Sequence, residues 1–152
     1  SLMYYNIKPA DTAEISYTTL QDYTGQSTVS VSTELSNDGI KTVVIGEEGK
    51  IVSQYPTENT KLMRGNIVFL KTEGAITLPD FEGWSLRNVL VYKQMSGLPI
   101  EVVGEGYVTS QSVSPNHLIE DSSPIVVKLM TPEQNFTTPP IEEDIVEEVS
   151  EQ

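Results

Sequence analysis

The side chains that could do chemistry are few in this sequence of 152 residues. The only histidine, His117, lies in a predicted loop, where a histidine is usually solvated. A serine hydrolase would need that histidine as its base, and the sequence has no G-x-S-x-G motif. Two carboxylate pairs flank predicted glycine turns, where carboxylates are usually solvated and do not act as an acid and a base. These pairs are Glu47-Glu48 and Glu101-Glu105.

Acyl transfer by a serine that is paired with a lysine would need three motifs, S-x-x-K, S-x-N and K-T-G. No serine of the sequence is followed three positions later by a lysine. Residues 114–116 (SPN) have the form of the second motif, and a glutamate interrupts the third motif in residues 71–74 (KTEG). Because the nucleophile and its lysine are missing, we predict no catalytic residues in this chain.

The composition also argues against metal ions, cofactors and nucleic acids. The sequence has no cysteine, which excludes disulfides and thiolate zinc sites, and no acidic loop has the EF-hand spacing. The pair Gly104-x-Gly106 lacks the third glycine of a phosphate-binding loop. The formal net charge of −13 repels phosphate backbones. We therefore predict no metal, no cofactor and no nucleic-acid partner.

The elements that must position these residues are duplicated. Five short segments recur in the same order at an offset of 57 or 58 residues, which indicates two copies of one unit. In the last of these segments, residues 67–69 align with residues 125–127. The recurring glycines and glutamines are predicted structural positions of the repeat: Gly25 and Gly83, Gly39 and Gly97, Gly49 and Gly106, Gln54 and Gln111.

Each copy has the pattern of one helix followed by three strands. The residues with helical spacing are Thr28, Val31, Ser32 and Leu35 in the first copy, and Leu86, Val89, Leu90 and Lys93 in the second. In the second copy Ser85 and Gly97 are the predicted caps. β-Branched runs predict three strands after each helix, the first two joined as a hairpin through a glycine turn. The predicted fold class is α+β, with two tandem repeats, each one helix packed on a three-stranded antiparallel sheet.

The sequence divides into four predicted segments. They are a lead-in at residues 1–17, a divergent first repeat at 18–74, a second repeat at 75–130 and an acidic tail at 131–152. The tail is rich in glutamate and interrupted by prolines, which favours a flexible segment. The spacing of Ile141, Ile145 and Val149 leaves a short docking helix open as the alternative.

Trp84, Arg87 and Tyr107 are the candidate ligand-binding residues. An aromatic ring beside a cation can stack on the face of a sugar, and the three residues belong to the predicted helix start and the following strand of the second copy. The alternative interpretation, which we favour, is that Trp84 and Phe81 belong to the core of the repeat itself.

The second copy resembles a PASTA repeat. Residues 78–85 (LPDFEGWS) are similar to the opening of that repeat, and residues 97–100 (GLPI) to its helix exit. Residues 106–115 (GYVTSQSVSP) are similar to the G-x-V-x-x-Q-x-x-x-P motif of the family. The first copy departs from the pattern, since it lacks the proline-acid opening and has a shorter step at residues 54–56 (QYP). The resemblance covers residues 18–130.

The resemblance implies a place at the outer surface of a bacterium. PASTA repeats occur at the ends of class B penicillin-binding proteins and of membrane Ser/Thr kinases. Two repeats with a degenerate first copy resemble the penicillin-binding type, whose parent is a D,D-transpeptidase of peptidoglycan synthesis and cell division. The chain itself is then no enzyme. The implied location is the extracellular face of the cell membrane, with the anchor upstream of this chain.

Two functions stay open under this resemblance. The first is an accessory module that positions or stabilises the transpeptidase domain of the parent or contacts cell-division proteins. The second is a sensor module that binds nascent peptidoglycan or β-lactams, in a penicillin-binding protein or in the extracellular part of a Ser/Thr kinase. We favour the first.

Overall fold

A computed structural model of the protein describes residues 16–136, and the chain divides into two compact units between Gly74 and Ala75. The elements of the first unit (unit 1) are β1 (Thr18–Thr19), α1 (Thr28–Asn37), β2 (Lys41–Ile45), β3 (Ser53–Tyr55), β4 (Lys61–Leu62) and β5 (Ile67–Lys71). Those of the second unit (unit 2) are α2 (Leu86–Ser96), β6 (Ile100–Val103), β7 (Tyr107–Gln111), β8 (Ile125–Met130) and α3 (Pro132–Phe136). The predicted α+β class with one main helix and one three-stranded sheet in each repeat is confirmed.

The two ends of the chain are described only in part. The predicted lead-in up to residue 15 lies outside the described residues, as does the tail beyond residue 136 with its proposed docking helix at Ile141, Ile145 and Val149. The first residues of the predicted tail form the short helix α3. Between residues 16 and 136, no helix is long and apolar enough to cross a membrane.

Each three-stranded sheet is mixed, and its central strand comes last in the chain. The strand orders are β2-β5-β3 in unit 1 and β6-β8-β7 in unit 2. The first strand of each unit runs parallel to the central strand, and the second runs antiparallel to it. The predicted all-antiparallel sheet with an opening hairpin is therefore wrong in both copies. The glycine loop crosses over the end of the central strand instead: a Cβ at Gly104 would overlap the carbonyl oxygen of Leu129.

The helix α2 begins and ends at the caps that the sequence predicts, and α1 begins in the same way. In α1 the hydroxyl of Ser27 accepts a hydrogen bond from the backbone N–H of Val29. In α2 the hydroxyl of Ser85 accepts from the backbone N–H of Asn88 at 3.2 Å. Gly97 ends α2 in the left-handed conformation with φ 74°, which a residue with a Cβ rarely adopts.

The buried face of α2 differs from the predicted one. In α1 the predicted residues Thr28, Val31 and Leu35 are buried. In α2 the buried residues are Val89 and Tyr92, whereas the predicted Leu90 and Lys93 are exposed. The helix is turned because the ring of Tyr92 packs edge-on against an aromatic residue that precedes the helix.

The pairing of the sheets corrects the repeat alignment in the last strand. Gln54 lies opposite Leu70 in unit 1, and Gln111 lies opposite Val127 in unit 2. Leu70 and Val127 are therefore equivalent at an offset of 57, and the predicted offset of 58 in this strand is one residue out. This matters because a shift of one residue moves every side chain of a strand to the opposite face.

The core of unit 1 lies between α1 and one face of its sheet. It consists of buried apolar side chains from the opening segment, the helix and the sheet: Leu20, Tyr23, Val31, Leu35, Ile40, Ile51, Leu62, Val68 and Leu70. The opposite face of the sheet, which we call the outer face, carries Phe69 and Ile45. Both are also buried.

Candidate functional site

The recurring glutamine of unit 1 is used inside the fold. The side-chain oxygen of Gln54 accepts a hydrogen bond of 2.7 Å from the backbone N–H of Tyr23. Its side-chain nitrogen donates to the carbonyl oxygens of Gln21 at 2.9 Å and Pro56 at 3.2 Å. One amide group therefore fastens the opening segment to the edge strand β3.

The recurring glutamine of unit 2 makes the same three hydrogen bonds. The side-chain oxygen of Gln111 accepts from the backbone N–H of Phe81 at 2.8 Å. Its nitrogen donates to the carbonyl oxygens of Pro79 at 3.1 Å and Val113 at 2.9 Å. Both glutamines thus satisfy backbone groups that the sheet leaves unpaired, which is a structural use of these side chains.

The acidic residue of the opening also recurs, although the sequence comparison found it only in the second copy. The carboxylate of Asp80 accepts a 3.0 Å hydrogen bond from the backbone N–H of Glu82. The carboxylate of Asp22 accepts from the backbone N–H of Thr24 at 3.1 Å and also from its hydroxyl at 2.6 Å. These bonds, with the hydroxyl first, lower the pKa of Asp22. Of the proline-acid step, only the proline is therefore missing from the first copy.

The recurring glycines have one backbone property in common, the sign of φ. All six have a positive φ angle: Gly25, Gly39, Gly49, Gly83, Gly97 and Gly106. Gly106 is also sterically restricted, since a Cβ there would lie about 2.7 Å from the Cα of Thr131. No comparable atom lies within 4 Å of the Cβ position at Gly49.

Trp84 belongs to an aromatic cluster of unit 2. Its ring lies 4.9 Å from that of Phe81 and 5.9 Å from that of Tyr92, both in edge-on geometry. Phe81 and Tyr92 are fully buried and Trp84 is half-buried. Burial raises the pKa of Tyr92, and its hydroxyl is the one buried side-chain polar atom within residues 16–136 that has no hydrogen-bond partner.

Of the three predicted ligand-binding residues, one lines a depression that the other two do not line. Tyr107 is 53% exposed and lines an open depression of about 400 Å³ in unit 2, together with Glu82, Met130 and Pro132. Trp84 and Arg87 do not line it, and Arg87 is exposed on the first turn of α2. The backbones of the two segments are joined, since Val108 donates to the carbonyl oxygen of Trp84 at 2.9 Å.

The equivalent depression of unit 1 has no aromatic side chain and is lined mainly by charged ones. It holds about 370 Å³ and is lined by Lys50 and by the acidic side chains of Glu47, Glu48 and Glu73. The carboxylate of Glu48 accepts a 2.5 Å hydrogen bond from the hydroxyl of Thr28. Lys50 stands where unit 2 has Tyr107, because each bridges to the serine that caps its helix.

The carboxylates and the histidine that the sequence offers for chemistry are dispersed over the surface. The four carboxylates of the predicted turns are all exposed, as is His117. The backbone carbonyl of His117 accepts from the N–H of Leu78 at 2.9 Å. Within residues 16–136, no three His, Cys, Asp or Glu side chains are grouped so that they could hold a metal ion.

A further depression that sequence reasoning missed lies in unit 1 at the end of α1. It holds about 580 Å³ and is lined by Tyr17, Asn37, Asp38, Met63 and Arg64, with Ser16 and Thr18. The signal that could have found it is the placement of an aromatic residue, a methionine and an arginine outside every predicted apolar face.

Comparison with protein-family models identifies two matches to the PASTA domain, at residues 18–74 and 76–130. A search of the curated proteins finds no match. The two matched segments account for most of the residues that the structure describes.

Several solved structures are similar to this chain. Penicillin Binding Protein 2X from Streptococcus thermophilus aligns with a TM-score of 0.66 and 23% identity, over 76% of this chain and 17% of that one. The three-PASTA-domain of a Ser/Thr kinase from Staphylococcus aureus aligns with a TM-score of 0.30 and 19% identity, over 71% of this chain and 64% of that one. The entire extracellular region of the Ser/Thr kinase PrkC from Staphylococcus aureus gives 0.31 and 18%, over 72% and 46%.

Proposed function

Since the chain belongs to the PASTA domain family, with domains at residues 18–74 and 76–130, we propose that it is an accessory module of a penicillin-binding protein. PASTA domains are non-catalytic, peptidoglycan-related sensor or accessory modules of penicillin-binding proteins and Ser/Thr kinases. In this proposal the chain positions or stabilises the transpeptidase domain of its parent at the extracellular face of the membrane. The anchor lies upstream of the chain.

One observation carries this proposal. The polar side chains that recur between the units are used within each unit, since Gln54 and Gln111 each place both ends of the amide in hydrogen bonds to the backbone. These hydrogen bonds fix the shape of each unit. Shape is what a spacer or support of a neighbouring domain requires. The fold shared with Penicillin Binding Protein 2X agrees with such a parent.

The test is deletion of residues 18–130 from the full-length parent. We expect acylation of the active-site serine by fluorescent penicillin to persist, while the position of the protein at the division site or its cellular abundance changes. Loss of acylation in a folded, normally abundant variant would contradict an accessory role. Unchanged acylation, position and abundance would contradict the supporting role.

The second candidate is a sensor that binds peptidoglycan, and the exposed ring of Tyr107 favours it. This ring lines the depression of unit 2 beside the segment of Trp84. Titration of the ¹⁵N-labelled chain with muropeptides checks it by NMR. Chemical-shift changes at Trp84, Arg87 and Tyr107 would support this function, and their absence would count against it.

A further inference from the structure

The outer face of the sheet in unit 2 carries apolar side chains that are open to water. Alternate residues of β8 point away from α2, and on this face they are Val126, Lys128 and Met130. Val103 of β6 lies opposite Lys128, and Tyr107 of β7 lies opposite Met130. Val103 and Tyr107 are half exposed. Lys128 is therefore surrounded by apolar side chains on a face that the helix of the unit does not cover.

The equivalent face of unit 1 is buried. Phe69 and Ile45 correspond to Val126 and Val103 at the offsets of the repeat, and neither is exposed to water. The fold therefore tolerates a cover on this side of the sheet as well as on the side of the helix. Removal of apolar surface from water is favourable, so a cover on the outer face of unit 2 would stabilise that unit.

The chain leaves unit 2 at the rim of this face. Thr131 and Pro132 line the same depression as Tyr107 and Met130, which places the start of α3 beside the outer face. The hydroxyl of Thr131 accepts a 3.2 Å hydrogen bond from the backbone N–H of Gln134, whose side-chain oxygen accepts from the N–H of Thr131 at 2.9 Å. This reciprocal pair is a capping box that fixes the first turn of α3. Whatever follows α3 therefore starts from a fixed point next to the outer face.

The segment that follows α3, which lies outside the described residues, has the composition to cover such a face. Ile141, Ile145 and Val149 recur at every fourth position, which places them on one side of a helix. On that helix, Glu142 and Glu148 flank the apolar side. The segment has no Lys or Arg, and its charged residues are all acidic: Glu142, Glu143, Asp144, Glu147, Glu148 and Glu151. The only cation of β8, Lys128, has the complementary charge.

The dimensions of the segment and of the face agree. From Ile141 to Val149 a helix spans about 12 Å, and from Val126 to Met130 the central strand spans about 13 Å. A helix about 10 Å wide covers three strands that lie about 4.8 Å apart. Residues 137–140 can extend over about 13 Å, which is enough for the chain to turn back from α3 onto the face.

From these observations we infer that residues 141–149 dock as a helix on the outer face of unit 2. The apolar side of this helix covers the apolar side chains of the face. Lys128 lays its aliphatic stem along the helix and pairs its ammonium group with Glu142 or Glu148. The sheet of unit 2 then lies between two helices, α2 on one face and the docked segment on the other. The inference concerns contacts within the chain and does not depend on the accessory role proposed above.

The test uses a spin label, which can be placed at a single site because the chain has no cysteine. Ser150→Cys takes a nitroxide at the end of the docked segment. In NMR spectra of the ¹⁵N-labelled chain, we expect the amide signals of Val126 and its neighbour Glu101 to broaden. The signal of Leu90, on the exposed side of α2, should stay sharp. Broadening of Leu90 instead, or of no amide in unit 2, would overturn the inference.

A mixed sample shows which copy the segment covers. Chains with ¹⁵N and no spin label are combined with spin-labelled chains at natural isotope abundance. We expect no broadening at Val126 in this sample, because the segment docks on its own unit. Broadening as strong as in the singly labelled experiment would mean that a second copy supplies the cover, and would overturn the assignment.

Variants sharpen the test, and the segment can be changed without touching either domain. Ile145→Asp puts a charge on the apolar side and should restore the full signal intensity at Val126, although the label remains tethered to the same chain. Lys128→Glu should weaken the broadening, since it places like charges together. Lys93→Glu, at an exposed position of α2, changes the net charge equally and should leave the broadening unchanged. Persistent broadening in Ile145→Asp, or equal effects of the two lysine variants, would contradict the inference.

Discussion

The outer faces of the two sheets differ, although the two units share a fold. In unit 1 the central Phe69 is 1% exposed and Ile45 is fully buried. Their equivalents in unit 2 are Val126, which is half-buried, and Val103, which is 49% exposed. The helix-facing sides are alike, since both are apolar and buried. The duplicated unit has therefore kept the face that its own helix covers and diverged on the face that its helix does not reach.

The same contrast holds at the surface depressions. In the depression beside the residue that bridges to the helix-capping serine, unit 1 has Lys50 and three glutamates, whereas unit 2 has Tyr107 and Met130. At the helix exit it is unit 1 that carries an exposed aromatic residue, Tyr17, together with Arg64. Each unit thus presents an aromatic residue to solvent, at a different corner of the same fold.

The largest expected effect concerns the outer face. Phe69→Ala should lower the free energy of unfolding by about 3–5 kcal/mol, because it opens a cavity at a buried aromatic site. Val126→Ala at the equivalent position should cost about 1 kcal/mol or less, because the side chain is already half in water. Urea unfolding followed by circular dichroism measures both. Equal losses would show that the two outer faces are not energetically different.

The glycine loops give the next effect. Gly106→Ala should cost at least about 2 kcal/mol, since the new Cβ meets the backbone at Met130 and Thr131 in addition to the strain of φ 103°. Gly49→Ala has no such neighbour and should cost about 1 kcal/mol. Trp84 is the sole tryptophan, so its fluorescence follows the effect of Gly106→Ala in unit 2, and circular dichroism during urea unfolding follows both variants. If Gly49→Ala lowers the free energy of unfolding more than Gly106→Ala does, this ranking is wrong.

The recurring glutamines, which clamp the opening segment of each unit to its edge strand, should contribute equally to the stability of the two units. Gln54→Ala and Gln111→Ala each leave the backbone N–H of a buried aromatic residue, Tyr23 or Phe81, without its acceptor. Each should cost about 1–3 kcal/mol. The exposed Gln94 is the control, since Gln94→Ala should change stability by less than about 0.5 kcal/mol. A loss in one unit only would mean that the clamp is not a shared feature.

The smallest expected effect is on the pH dependence of stability and concerns Asp22 of unit 1. The Thr24 hydroxyl, and then its backbone N–H, lower the pKa of Asp22 in the folded chain. The associated stability is fully present above the unfolded pKa of about 4 and is lost as the pH falls through the lower folded value. Thr24→Val should raise the pKa of Asp22, which NMR titration measures directly. An unchanged pKa would show that the hydroxyl has no such effect.

The repeat and the fold class could be predicted because glycines and glutamines mark equivalent backbone positions. The strand order could not, since all three runs of each copy are rich in β-branched residues. A signal was nevertheless present: residues 67–70 are apolar on both faces, as a central strand between two neighbours often is. The buried face of α2 was missed because the periodicity favoured Leu90, whereas Tyr92 had aromatic partners outside the helix.

The candidate sites were harder to predict for a geometric reason. Tyr17 and Arg64 are far apart in sequence, and Tyr17 falls in the segment taken as a lead-in. Only the pairing of β1 with β4 brings them to the same depression. Trp84, Arg87 and Tyr107, in contrast, are close in sequence and in backbone pairing, but Trp84 and Arg87 do not line the depression that Tyr107 lines.

The strand order has a consequence for synthesis of the chain. In each unit the last strand is the one to which both others are bonded. While the ribosome has released only α2, β6 and β7, these elements have no common partner, and unit 2 cannot close until residues 125–130 emerge. A stop codon a few residues upstream of Met130 would therefore truncate the central strand of the sheet and not an edge strand.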